Sequence, residues 1–358
     1  MVNETQRING PEYLEGKTFF TSSACMSVLA DALSWANAHQ EKIATSPKEA
    51  NNIAVLSCQV TDLAILNDLR TIERYQKDFP GKKYFISGCL SKRLDIELPV
   101  NVLRLETPRE NYQFIHNRKL VNFEKPFWIP DFNENDKEFE QGHLFRNMYP
   151  LRIGKGCPNK CTYCTIRITR GEFEQYHASR LEKEFLTFEN ILLIADNPTE
   201  SQIKNWHNLA IKNNKGFSIR NVEPSTTVKI QDELFDLAER RLLRVYHSPI
   251  QSNSPDVLRD MHRSVSNTLE TINISKKLRD KGVYVATNII IDYKDFDQDF
   301  SEIYKSYNYV SWNPLWNSIW DRKNAEERFE KYLGKGAKIN PTLIKIREYE
   351  AQQRRFAE

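Results

Sequence analysis

Short apolar runs alternate with longer stretches whose apolar residues recur at helical spacing, and this alternation falls into two blocks along the 358 residues. In the first block, residues 17–23, 52–58 (NIAVLSC), 83–89 and 101–106 read as strands. Residues 26–39 and 62–78 carry apolar positions three and four apart and read as helices. The second block offers strands at 150–156, 190–195, 216–222, 243–250, 283–291 and 307–312. Helical stretches at about 179–189, 199–213, 231–241, 254–262, 266–281 and 297–306 separate them. Apolar strands alternating with helices predict parallel sheets joined by right-handed crossovers. Six such units are too few for an eight-fold barrel and suit a partial one. Residues 107–148, with Pro126, Pro130 and no sustained period, read as a linker that Phe123, Phe127 and Trp128 anchor to a domain. The stretch 321–358 is charged and helical in pattern.

Composition narrows the classes without choosing among them. The chain is 40% hydrophobic and 28% charged, an ordinary globular balance that argues against disorder. Its 51 basic and 48 acidic residues leave a net charge of +3, which neither demands nor excludes nucleic acid. No apolar run approaches the ~20 residues of a membrane helix, and MVNETQRING has no signal-peptide core, so a cytoplasmic protein with no membrane partner is expected.

The six cysteines carry the chemistry. In a compartment that keeps thiols reduced, metal or redox roles outrank disulfides, with buried inert thiols as the competing reading. Cys157, Cys161 and Cys164 form CxxxCxxC just after the first strand of the second block. A structural zinc wants four tetrahedral ligands, commonly from paired CxxC units; His177 is a candidate fourth, but the triad does not resemble a zinc pair. Three thiolates instead suit a 4Fe-4S cubane with one iron left open to a substrate such as S-adenosylmethionine (SAM). Cys25, Cys58 and Cys89 each stand at or just beyond the end of a predicted strand in the first block. The carboxyl edge of an open parallel sheet is where ligands bind, so these three thiols are expected to converge as a second cluster site.

The spacing of Cys157, Cys161 and Cys164 on a loop opening a partial barrel resembles the radical-SAM superfamily. The chain to about residue 320 further resembles the radical-SAM methylthiotransferases. The matching segments are SSACMS, VLSCQV and SGCLSKR in the first block, then GCPNKCTYC, ITRG at 168–171, Ser179-Arg180, VEPS at 222–225, PIQSNS at 249–254, MHR at 261–263 and TNIII at 287–291. The resemblance implies a flavodoxin-like parallel-sheet domain over 14–106, a linker over 107–148, a partial (β/α)6 radical-SAM barrel over 149–320 and a helical tail over 321–358. It implies two 4Fe-4S clusters, SAM as co-substrate and a flavodoxin or ferredoxin as electron donor. One SAM would methylate a sulfur on the cluster of Cys25, Cys58 and Cys89. A second, cleaved at the other cluster, would abstract hydrogen from an unactivated C–H bond, leaving a methylthio group.

Departures bear on the substrate. Val28 stands where the family usually has Asn, and Ala195-Asp196-Asn197 where it has a Gly-Gln pair. Four residues are inserted between Gly171 and Ser179, Asn253-Ser254 replaces Gly-Ser, and Ser311–Pro314 is a reduced form of a longer motif. Residues 322–358 show none of the alternating strands of the family's usual C-terminal TRAM-type β-barrel. A peptide, protein or small-molecule substrate is therefore expected ahead of tRNA. Sulfur insertion ending in a thiol or thioether, and a non-enzymatic metal- or redox-sensing role, are the alternatives. Candidate SAM contacts are Tyr163, Asp196, Asn197, Glu223, Ser225, Gln251, Ser252 and Arg263. Arg263 suits the methionine carboxylate because guanidinium pairs with carboxylate in a bidentate fork. The competing reading for each is a solvated or capping role. His247 reads as core. Packing of the last strand and tail is the plainer reading of the tryptophan-rich 311–320, a stacking wall for substrate the sharper one.

Overall fold

The structure is a computed structural model that describes residues 7–8, 10, 13–22, 26–57, 62–93, 96–106, 122–123, 148–164, 166–291, 293 and 299–314. The expected helical tail, most of the linker (Phe127 and Trp128 among it), Cys25, Cys58 and residues 315–320 lie outside the described residues. Two compact units emerge, one of Met1–Ile129 with Ile168–Arg170, the other of Pro130–Arg167 with Gly171–Glu358.

The first unit holds a parallel sheet of β1 (Arg7–Ile8), β2 (Thr18–Ser22), β3 (Asn52–Ser57), β4 (Lys83–Gly88), β5 (Val102–Leu105) and β6 (Asn122–Phe123). Their order across the sheet is β1-β5-β4-β3-β2-β6. β3 and β4 are buried nearly throughout, as strands covered on both faces must be. Neighbouring side chains on β2 show the two covers. Phe19 packs into a core with Ile65, Ile72 and Tyr75 of the helix Asp62–Asp78. The Phe20 ring centroid lies 5.7 Å from that of Trp35, on the helix Met26–Ala38. Between that helix and β3, the chain touches the far edge of β2 through a single parallel bridge, Thr18 to Ile43. It then crosses to β3 on the other side of β2. This reversal is the topological switch of a flavodoxin-like sheet, and ligands bind at the carboxyl edge of such a switch. Arg170 pairs with Asp31 at 3.4 Å, both side chains largely buried.

The second unit begins with β7 (Tyr149–Arg152) and β8 (Gly154–Lys155), followed by β9 (Glu174–Gln175). Five more strands follow: β10 (Ile191–Ile194), β11 (Phe217–Arg220), β12 (Leu243–His247), β13 (Tyr284–Ile291) and β14 (Tyr309–Pro314). Six of them form a parallel sheet in strict sequence order, β7-β10-β11-β12-β13-β14. Crossovers that always step the same way place their helices on one face, and the sheet curls with that face outward, giving the expected partial (β/α)6 barrel. The helices start where their signals say. Thr199 and Gln202 form a reciprocal capping box for Glu200–Asn213, and Asn214 ends it with φ of 47°. Ser264 caps Val265–Asp280 by accepting from Asn267 N–H. Trp206 is fully buried, its ring 5.2 Å from Phe185.

Several elements differ from the sequence expectation, among them β1, which lies before the expected domain start at residue 14 and pairs with β5, and the helix Pro224–Lys229. The strand expected at 150–156 is two strands, because β8 leaves the barrel to pair antiparallel with β9, Gly154 to Gln175 and Lys155 to Glu174. β9 lies within the segment where the chain is longer than the methylthiotransferase pattern, so those extra residues close the base of the loop between. β6 sits inside the expected linker and adds to β2 through Thr21–Asn122 and Ser22–Phe123.

Candidate cofactor site

The loop that β8 and β9 enclose carries Cys157, Cys161 and Cys164, all part-buried free thiols. Gly156 opens it with φ of +71°, and an added Cβ would stand 2.5 Å from the Glu172 carbonyl oxygen, so glycine is required there. The Gly156 N–H donates to Asp196 Oδ2 at 2.8 Å. The same oxygen lies 3.2 Å from Arg152 Nη2, with side-chain exposures of only 1% for Arg152 and 4% for Asp196. Asp196, just past β10, thus ties the loop entrance to the barrel. Sequence reasoning missed Arg152. Its signal was a lone arginine in an otherwise apolar parallel strand, where a buried charge needs a partner.

The far side of the loop is held by the turn after the helix Pro255–Asp260. Thr162 N–H donates to Met261 O at 3.3 Å, and its hydroxyl donates to Asp260 O at 3.1 Å. Tyr293, also missed, meets the Thr162 hydroxyl at 3.0 Å and donates to Asp260 Oδ2 at 2.6 Å. Tyr163 packs beside Val257, Met261, Ile290 and Tyr293. Its hydroxyl accepts from Arg263 Nη1 at 3.1 Å, and burial above all pushes its pKa up.

The remaining candidates line the carboxyl ends of the barrel strands. Glu223 accepts from Ser225 N–H at 2.8 Å and from the Ser225 hydroxyl, capping Pro224–Lys229, while its other oxygen lies 3.7 Å from Arg263 Nη2. Ser225 is thus seen in a capping role. Gln251, at φ of 68°, exchanges backbone hydrogen bonds with Asn288 and Ile290 on β13. The Ser252 hydroxyl is buried and accepts from Ser254 N–H at 3.0 Å. Asn197 is buried with Oδ1 lacking a hydrogen-bond partner, a polar group left open beside Asp196. His247 is core, as expected. Its Nδ1 accepts from Asn221 N–H at 3.1 Å, which leaves Nε2 to donate to Asn288 Oδ1 at 3.2 Å. Burial, then the Arg220 charge, pulls its pKa down to about 3.

In the first unit, Cys89 is buried at the end of β4. Ser57 fixes it: the Ser57 carbonyl accepts from Cys89 N–H at 3.2 Å, and the Ser57 hydroxyl accepts from Leu90 N–H at 3.1 Å while donating to Ser87 O. Gly88 fits only as glycine, since a Cβ would stand 2.7 Å from Ser57 O and 3.0 Å from Val28 Cγ1. Arg104 braces the next turn by donating to Leu90 O and Ile96 O. Ser57 and Gly88 are register partners, and the next residues in sequence are Cys58 and Cys89.

The donors present fit an iron–sulfur cluster. Burial pushes the Cys157 thiol up to about 11, opposed by a backbone hydrogen bond from Asn159 and reinforced by Cys164 and Cys161. Burial likewise raises Cys164, again with Cys161 adding to the rise. Cys157 and Cys164 thus each feel the neighbouring thiols of the loop, and a cationic centre would favour their thiolate forms. Among the described residues, no three His, Cys, Asp or Glu side chains close around a single metal ion. A cubane asks for something else, each thiolate taking its own iron corner.

Residues 151–307 match the family model of the Radical SAM superfamily. A Clostridium botulinum protein named ribosomal protein uS12 methylthiotransferase RimO is 27% identical over 295 residues, covering 74% of this chain and 65% of its own length. A Pyrococcus horikoshii protein named probable threonylcarbamoyladenosine tRNA methylthiotransferase is 26% identical over 277 residues, covering 69% and 63%. The chain spans just under two thirds of the length of these relatives. Its match to the radical-SAM model begins on β7 and takes in the whole three-cysteine loop. The relatives' matches run far beyond that segment. Over residues 151–307 the chain is similar to the Radical SAM superfamily, and over about seven tenths of its length it is similar to proteins named as methylthiotransferases.

Proposed function

We propose that the protein inserts sulfur, as a methylthio group, into an unactivated C–H bond of a peptide or protein substrate. The observation that supports this reading is the loop of Cys157, Cys161 and Cys164 after β8 together with Cys89 at the end of β4, which the sequence groups with Cys25 and Cys58. Cys157, Cys161 and Cys164 stand on a loop locked by Asp196 at one end and Arg263 at the other. Cys89 is locked by Ser57, beside the strand end that continues into Cys58. Bound at these places, two 4Fe-4S clusters and SAM supply one-electron cleavage of SAM, hydrogen removal from carbon, and a sulfur to donate. The chain's part is placement. Asp196 and Gly156 fix the loop entrance, while Thr162, Tyr293 and Asp260 fix its middle. Asn197 Oδ1 and the strand-end residues Gln251 and Ser252 offer polar groups for SAM. A flavodoxin or ferredoxin is the proposed electron source.

The relative named for ribosomal protein uS12 supports a protein substrate, and the relative named for a tRNA supports the second reading. One anaerobic assay with dithionite and SAM separates them, offering a uS12 peptide and threonylcarbamoyladenosine-containing tRNA side by side. A gain of CH2S on the peptide is the expected result. The same gain on tRNA moves the reading to RNA, and a gain of S alone moves it to thiolation. Cys157→Ala is expected to abolish 5′-deoxyadenosine. Cys58→Ala is expected to leave 5′-deoxyadenosine but stop sulfur transfer. Sulfur transfer by Cys58→Ala removes the two-cluster mechanism.

A further inference from the structure

Arg263 is the one cation seen to touch both a thiol of the loop and the strand ends around it, among the described residues. It is 9% exposed, and Nη1 lies 4.0 Å from Cys161 Sγ while donating to Tyr163 Oη. Nη2 donates to Pro249 O at 2.8 Å. Its nearest counter-charge, Glu223, stands 3.7 Å away and already accepts two hydrogen bonds from Ser225. The Arg263 Nε is buried with no hydrogen-bond partner. The guanidinium is thus only partly neutralised, poorly solvated, and aimed at a sulfur. Each of those features strengthens its field at that sulfur.

We infer that Arg263 is a positioning residue that sets the reduction potential of the cluster ligated by Cys161. The inference rests on the reading above, that these thiols hold a 4Fe-4S centre. Reduction adds one electron, and so one negative charge, with no bond made or broken. The electron comes from a low-potential one-electron donor, dithionite in the test. A buried cation and a hydrogen bond at a ligating sulfur both favour the more negative state and raise the potential. Glu223 opposes this and tempers it.

The test uses the whole chain in a Cys25/Cys58/Cys89→Ala background, so that one cluster is read. After anaerobic reconstitution, each variant is titrated with redox mediators in the absence of SAM. The paramagnetic reduced signal is followed and normalised to bound iron. Arg263→Gln is expected to lower the reduced-to-oxidised ratio at fixed potential about tenfold, a fall of about 59 mV for a one-electron couple. Arg263→Lys is expected to stay near the parent, which a role in loop shape alone would not produce. Glu223→Gln is expected to shift the potential upward. An unchanged potential in loaded Arg263→Gln overturns the inference while leaving the cluster reading intact. Should Arg263→Gln fail to load iron, Glu223→Gln decides, a rise supporting the inference and no change overturning it. A parent without iron overturns both.

Discussion

Asp196 shows how a residue legible as part of a site takes a role the sequence does not specify. Its place just past a buried strand marked it as a ligand contact, and the structure commits one oxygen to Gly156 N–H and Arg152. Neutralising it leaves the buried Arg152 guanidinium without that counter-charge, and Asp196→Asn is expected to cost about 3–5 kcal/mol. Urea denaturation of the metal-free chain measures this, and an unchanged midpoint would show the pair to be dispensable. His247 makes a second prediction. Its folded pKa, about 3, lies below the ordinary 6.5. As pH falls below 6.5, the unfolded chain takes up a proton that the folded chain refuses, so stability present above that pH is lost toward the folded pKa. One such group gives a slope of about 1.4 kcal/mol per pH unit. Denaturation curves across that window are expected to show His247→Gln with a shallower acid slope than the parent.

Strands were legible where burial on both faces makes them continuous apolar runs, as in β3, β4 and β10. Periodicity has nothing to read in two residues, so β6 and β9 stayed hidden, one in the expected linker and one in the inserted segment. The Thr18–Ile43 bridge was equally silent, although it creates the reversal beside β2. Cys89, by contrast, was legible, because the end of a buried parallel strand is readable from its apolar run. What the sequence could not show is the stitching, in which Ser57 joins the end of β3 to the turn that carries Cys89. Removing that hydroxyl breaks two buried hydrogen bonds, and Ser57→Ala is expected to cost about 1–3 kcal/mol. It is also expected to lower iron bound by the first unit before iron bound at Cys157, Cys161 and Cys164. Equal loss from both sites, read by iron analysis in the Cys25/Cys58/Cys89→Ala and Cys157/Cys161/Cys164→Ala backgrounds, would contradict the stitch.

Taken whole, the chain gives little away through bulk properties. A net charge of +3 fits a peptide or an RNA substrate alike. No helix among the described residues is long and apolar enough to cross a membrane. The resemblance rests on six cysteines in two sets and on the order of short motifs around them, and the structure shows what holds Cys89 and the loop of Cys157, Cys161 and Cys164 in place. Both sets must bind iron for sulfur insertion to be the reaction. The most direct test is therefore iron and sulfide content after anaerobic reconstitution, in the parent and in the Cys25/Cys58/Cys89→Ala chain. Two four-iron clusters predict about eight irons per chain, falling to about four in the variant. About four in both would contradict the account and leave a radical-SAM protein whose first unit holds no cluster.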